Sequence, residues 1–184
     1  MSTVNKDAAA AAKAKGDAAY SAKNYWDALK HFTEAIGHDP TNHIFYSNRS
    51  VCYVSSVPPN YADALHDAEK CISLKPGWAK GYKLKGLAEC SLGKLAEAEA
   101  TYAEGLQFAP QDAVLLSSAK TVEDARARGA GPASTSSAAG GGTDAVRKVN
   151  KEVALVDTPA ASSGPSAPKD SKGSDGRSWK PGKI

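Results

Sequence analysis

Up to Arg128 the chain interleaves apolar or small positions with polar ones at the spacing of an amphipathic helix, and short breaks rich in Asn, Asp, Pro and Gly interrupt the pattern. Reading between the breaks predicts three pairs of helices. The first pair covers Asp7 to Ser21 and Tyr25 to Ile36, the second Thr41 to Ser55 and Asn60 to Ser73, the third Gly77 to Ser91 and Leu95 to Gln107. A seventh helix is predicted from Asp112 to Arg126. Asp112 suits an N-cap there, and Val114, Leu115, Ala119 and Val122 make one apolar stripe.

The pairs repeat one another. Pro40, Pro76 and Pro110 are 36 and 34 residues apart, and the sets Ala28, Ala64, Ala98 and Phe32, Ala68, Tyr102 keep those steps in the same order. Gly16, Ser50 and Gly86 reverse the order, which locates a two-residue insertion between Ser50 and Ala64, at Val57-Pro58-Pro59-Asn60. The underlying period of 34 is that of the tetratricopeptide repeat (TPR), whose unit is a helical hairpin. The expected fold is all-α: TPR hairpins at 9–42, 43–78 and 79–112 and a C-terminal capping helix at 112–127, forming a right-handed α-solenoid domain over 7–128. The prolines follow each second helix, where a fixed φ and a missing N–H stop it. The small residues let paired helices approach, and Tyr25, Phe32, Tyr46, Tyr61, Tyr82 and Tyr102 are expected to fill the gaps.

Composition divides the chain near Arg128. Residues 1–128 hold fifteen Lys/Arg and fifteen Asp/Glu, whereas 129–184 hold eight and five, so the net charge of +3 belongs to the tail. The neutral repeat region lacks the clustered positive charge that nucleic-acid binding needs, and no nucleic-acid partner is expected. From Gly129 the chain turns to Gly, Ala, Ser and Pro, the composition of a flexible, largely disordered tail. Within it, Val146, Val149, Val153 and Val156 fall on one helical face over 143–157. Two readings stand: a short amphipathic helix that docks on a second protein, or a stretch that binds nothing, valine being a mediocre helix former. Trp179 is an aromatic in a polar context and a candidate anchor.

Cys52, Cys71 and Cys90 are odd in number and form no CxxC, so they read as small apolar helix positions in a reducing compartment. No stretch approaches the roughly eighteen apolar residues of a membrane span. Ala8–Ala12 is too short for a signal-peptide core, and a cytoplasmic location without membrane contact is expected. His31, His38, His43 and His66 make no HExxH spacing, and no phosphate-binding glycine loop occurs. No catalytic residue, cofactor or metal is therefore expected, and the chain reads as a non-enzyme.

Two segments are more specific than the repeat itself. Tyr46-Ser47-Asn48-Arg49-Ser50 and Lys75-Pro76-Gly77-Trp78-Ala79-Lys80-Gly81-Tyr82 resemble the carboxylate-clamp TPR domains of the co-chaperone family, in particular the Hsp-organising co-chaperones. The resemblance spans Ala12 to Pro110. It implies a groove lined by the first helix of each repeat, where five polar residues grip the C-terminal Glu-Glu-Val-Asp of heat-shock protein 70 or 90. Lys, Arg and Asn donors there make charge-assisted hydrogen bonds to the two carboxylates of the terminal aspartate. By correspondence, Lys13, Asn48 and Lys80 occupy clamp positions. Asp17 stands where the family has asparagine, and Leu84 where it has arginine. Asp17 lies at i+4 from Lys13, placed to pair with it and to repel an incoming carboxylate. Lys83 and Lys85 flank Leu84 and project to either side of it; they are expected to replace part of the charge of an arginine, not its fork.

The resemblance implies a non-enzymatic protein–protein interaction adaptor, a co-chaperone-like TPR protein whose groove receives the acidic C-terminus of a heat-shock chaperone through Lys13, Asn48, Lys80 and Lys83. The alternative, motivated by Asp17 and Leu84, is a structural or assembly subunit of a larger complex, cytoskeletal or ciliary, with a drifted clamp.

Overall fold

The computed structural model describes residues 4–128; the predicted tail, its 143–157 segment and Trp179 lie outside the described residues. Seven helices make up the described part: α1 (Lys6–Ser21), α2 (Tyr25–His38), α3 (His43–Ser55), α4 (Tyr61–Leu74), α5 (Ala79–Ser91), α6 (Leu95–Phe108) and α7 (Ala113–Ala127). No strand occurs among them. α1 packs on α2, α3 on α4 and α5 on α6. α2 touches α3 and α4 touches α5, so the hairpins stack, and α7 closes the array against α6 and α5. The architecture is three TPR hairpins and a capping helix.

Five of the seven described helices start at side chains that accept otherwise unpaired N–H groups; α5 and α6 have no such cap. Asn5, Asn24, Asn42 and Asn60 accept from Ala8, Asp27, Ile44 and Asp63, and Asp112 accepts from both Val114 and Leu115. Such caps contribute about 1 kcal/mol each. They explain why α3 begins at His43 rather than Thr41 and α4 at Tyr61 rather than Asn60. In the turns inside the hairpins, Lys23 (φ 60°) and Gly93 (φ 78°) take the left-handed conformation at equivalent places. In the second hairpin that turn is replaced by the longer Ser56–Asn60 link, with a cis Val57-Pro58 bond.

The core repeats one exchange of volume. A Cβ on Gly16 would lie 2.8 Å from the Phe32 ring, and one on Gly86 2.5 Å from the Tyr102 ring. The second hairpin reverses this: Ala68 is small, which leaves room for Ser50, whose Oγ donates to the Ala64 carbonyl at 2.8 Å. Phe32, Tyr46, Tyr82 and Tyr102 are buried as expected, but Tyr25 and Tyr61 are only half-buried. They are the first residues of α2 and α4. Cys52, Cys71 and Cys90 are buried free thiols, each pushed up to about 12 by that burial, and so are inert packing groups.

One buried ion pair fixes α3 between its neighbours. Arg49 donates from Nε and a terminal nitrogen to the two carboxylate oxygens of Asp67 on α4, at 2.7 and 2.8 Å. Its remaining terminal nitrogen donates to Thr33 Oγ1 on α2 at 3.1 Å. The motif arginine thus ties three helices together, immediately beside Asn48.

Candidate functional site

The first helices of the hairpins, α1, α3 and α5, carry the residues singled out from sequence. On α1, Lys13 and Asp17 lie one turn apart, and Lys13 Nζ donates to Asp17 Oδ2 at 2.6 Å. Both side chains keep about a quarter of their surface exposed. The stacking of the first two hairpins then brings α3 alongside, and Asn48 Nδ2 points at Asp17 Oδ1 from 3.4 Å. Two donors from different repeats therefore converge on one carboxylate. The i+4 pairing was legible from spacing; the approach of Asn48 depends on how the hairpins stack.

Beside this group an open cleft of about 550 Å³ runs between the first half of α1 and the start of α3, lined by Lys6, Ala10, Lys13, Asn42, His43 and Ile44. His43 packs edge-on against Trp78, ring centroids 4.6 Å apart, and Lys80 Nζ stands 5.8 Å from the centroid of the same indole. Burial, and then the charge of Lys75, lower the His43 pKa, which keeps this imidazole neutral near neutral pH. The α3 start thereby links the Lys13 side of the face to the Lys80 side. Sequence reading gave His43 no role beyond the absence of an HExxH spacing; its contact with Trp78 had no signal in spacing.

The other two positions behave differently. Lys83 is almost fully buried, and its ammonium lies 2.9 Å from Asp112 Oδ2. Asp112 also caps α7, so Lys83 couples α5 to the capping helix. Burial alone would raise the Asp112 pKa, but the Lys83 hydrogen bond and the Leu115 and Val114 N–H groups outweigh it and hold it down. Leu84 is 1% exposed and belongs to the hydrophobic core with Tyr82, Leu87 and Leu115. Among the described residues no cluster of His, Cys, Asp and Glu could hold a metal ion, and no helix is long and apolar enough to cross a membrane.

No protein-family model matches the chain. It is 52% identical over 118 residues to the heat shock protein sti1 homolog of Schizosaccharomyces pombe, covering 64% of this chain and 20% of that protein. It is 44% identical over 135 residues to the Hsp70-Hsp90 organizing protein of Triticum aestivum, covering 73% and 22% respectively. The chain thus spans about a fifth of the length of these curated relatives. Among solved structures, the first TPR of Spaghetti (RPAP3) bound to the HSP90 peptide SRMEEVD superposes with a TM-score of 0.63 at 26% identity, over 67% of this chain and 99% of that one. Repeat packing, sequence likeness and superposition agree: residues 4–128 form a TPR domain that resembles the TPR domains of the Hsp70–Hsp90 organising proteins.

Proposed function

We propose that this TPR domain binds the acidic C-terminal peptide of a heat-shock chaperone, of the 70 or 90 class, and that Lys13, Asn48 and Lys80 supply the donors. The chain then works as a non-enzymatic, cytoplasmic adaptor. The observation that carries this reading is the convergence of Lys13 and Asn48 on a single carboxylate, that of Asp17. Donors from two repeats are already arranged around the chemical group that a peptide C-terminus would present. The bound peptide in the superposing RPAP3 structure ends in that same acidic sequence, Glu-Glu-Val-Asp. Lys80 on the neighbouring first helix adds the charge a second carboxylate requires. Lys83 enters this reading as a support of α7 rather than as a donor, because Asp112 already holds its ammonium.

A calorimetric titration of the full chain with the peptide SRMEEVD, as the free acid and as its C-terminal amide, tests the reading. The free acid is expected to bind at least about tenfold more tightly, since amidation removes charge-assisted hydrogen bonds. Equal binding of the two, or none of either, would rule the clamp out. The burial of Leu84 where a groove arginine would stand favours a second reading, a subunit of a larger assembly that does not use the clamp. Charge reversal at Lys80 separates them: it abolishes chaperone capture under the first reading and leaves the partners unchanged under the second.

A further inference from the structure

We infer that Asp17 is an internal occupant of the clamp: in the unliganded chain its carboxylate holds the two donors, Lys13 and Asn48, that a ligand carboxylate must take over. The inference rests on the proposed peptide-binding reading and concerns how that same site is regulated. The geometry is asymmetric. Oδ2 takes the Lys13 ammonium at 2.6 Å, a short charge-assisted contact, and Oδ1 receives the Asn48 amide at a long 3.4 Å. Asp17 sits on the same helix as Lys13, so the competing carboxylate is present at high effective concentration and never diffuses away.

Two consequences follow from charge and exposure. Lys13, Asp17 and Asn48 together carry no formal net charge, so this end of the face does not attract an anion as an unpaired lysine would. The Asp17 side chain is also 24% exposed, which leaves it room to rotate into water when a better-placed carboxylate arrives. The clamp is therefore closed by a weak, displaceable internal ligand. Peptides whose recognition rests on the terminal carboxylate alone meet this competition in full. Peptides that also place a side-chain carboxylate near Lys80 offset part of it.

The test uses the full chain, its Asp17→Ala and Asp17→Asn variants, and SRMEEVD as free acid and amide. Alanine removes the competitor and adds nothing; asparagine removes it and adds a donor. Asp17→Ala is expected to bind the free acid at least about tenfold more tightly than the parent chain, the equivalent of about 1.4 kcal/mol. Asp17→Asn should bind tighter still, and binding of the amide should change less than twofold in both. The gain should disappear when Lys13→Ala is combined with Asp17→Ala, because the released donor is then absent. An unchanged affinity in Asp17→Ala overturns the inference, even if Asp17→Asn gains, since that gain would come from the new amide. Parent and variant chains that all prefer the free acid to the same degree would overturn it while leaving the peptide-binding reading intact. Failure of every chain to distinguish acid from amide would remove both. Matching thermal melts of the variants exclude unfolding as the cause of any loss.

Discussion

Replacing Asp67 by asparagine keeps the shape of the side chain and deletes the negative half of the pair that ties α3 to α4. Asp67 is 1% exposed, and both its oxygens accept from the Arg49 guanidinium, at 2.7 and 2.8 Å. Removing one member of a buried pair costs about 3–5 kcal/mol, chiefly because the other charge is left uncompensated. Two features reduce that figure here. The Arg49 side chain keeps 16% of its surface exposed and so retains some hydration, and the asparagine oxygen still accepts one hydrogen bond. A loss of about 2–3 kcal/mol is expected. Urea unfolding followed by circular dichroism would read it as a drop of about 1–2 M in midpoint at unchanged slope. The reverse variant, Arg49→Met, strands a deeper charge and should cost more. Replacing both at once, Arg49→Met with Asp67→Leu, should recover most of the loss. A cost below about 0.5 kcal/mol for Asp67→Asn, within the range of ordinary surface substitutions, or a milder effect for Arg49→Met than for Asp67→Asn, would refute the assignment of this pair as the tie between the two helices.

Three further substitutions test the packing and the charges. Gly86→Ala forces a Cβ to within 2.5 Å of the fully buried Tyr102 ring and should cost about 1–3 kcal/mol, whereas Gly37→Ala on α2, which meets nothing within 4 Å, should stabilise by about 0.5–1 kcal/mol in the same urea assay; equal effects of the two would contradict the close approach. Glu89 is buried with Oε2 unpartnered, and burial raises its pKa against the opposing effects of the Thr101 hydrogen bond and Lys85. A folded pKa above the unfolded one means that this group's contribution is complete below the unfolded pKa and is lost as pH rises through the folded pKa. Glu89→Gln should therefore be more stable than the parent chain at pH 7.5 and lose its advantage at pH 4; a variant less stable at pH 7.5 would show that the 3.7 Å contact with Lys85 outweighs desolvation.

Much of the fold was legible because TPR packing is periodic. Gly16 with Phe32 and Gly86 with Tyr102 recur at fixed offsets, and the two-residue shift around Ser50 marks the longer Ser56–Asn60 link. Caps at Asn42 and Asn60 were equally local, yet they moved two predicted helix starts, because an asparagine can open a helix or stand just outside it. The candidate site was legible only where it is local. Lys13 and Asp17 share a helix face by spacing alone.

What the sequence by itself determined is the repeat, its register, the helix partners and the i+4 pair on α1, all consequences of helical periodicity and short-range sterics. The stacking of hairpins decided the rest. It carried Asn48 to the Asp17 carboxylate, set Arg49 on Asp67, placed His43 against Trp78 and turned Lys83 toward Asp112. It also put Leu84 inside the core, where the family resemblance implies a groove residue. These contacts join residues on different helices, and which residues meet is fixed by how neighbouring helices cross and how far they slide. That geometry is settled by the packing of whole side chains, such as Ser50 beside Ala68, and no single spacing along the chain encodes it.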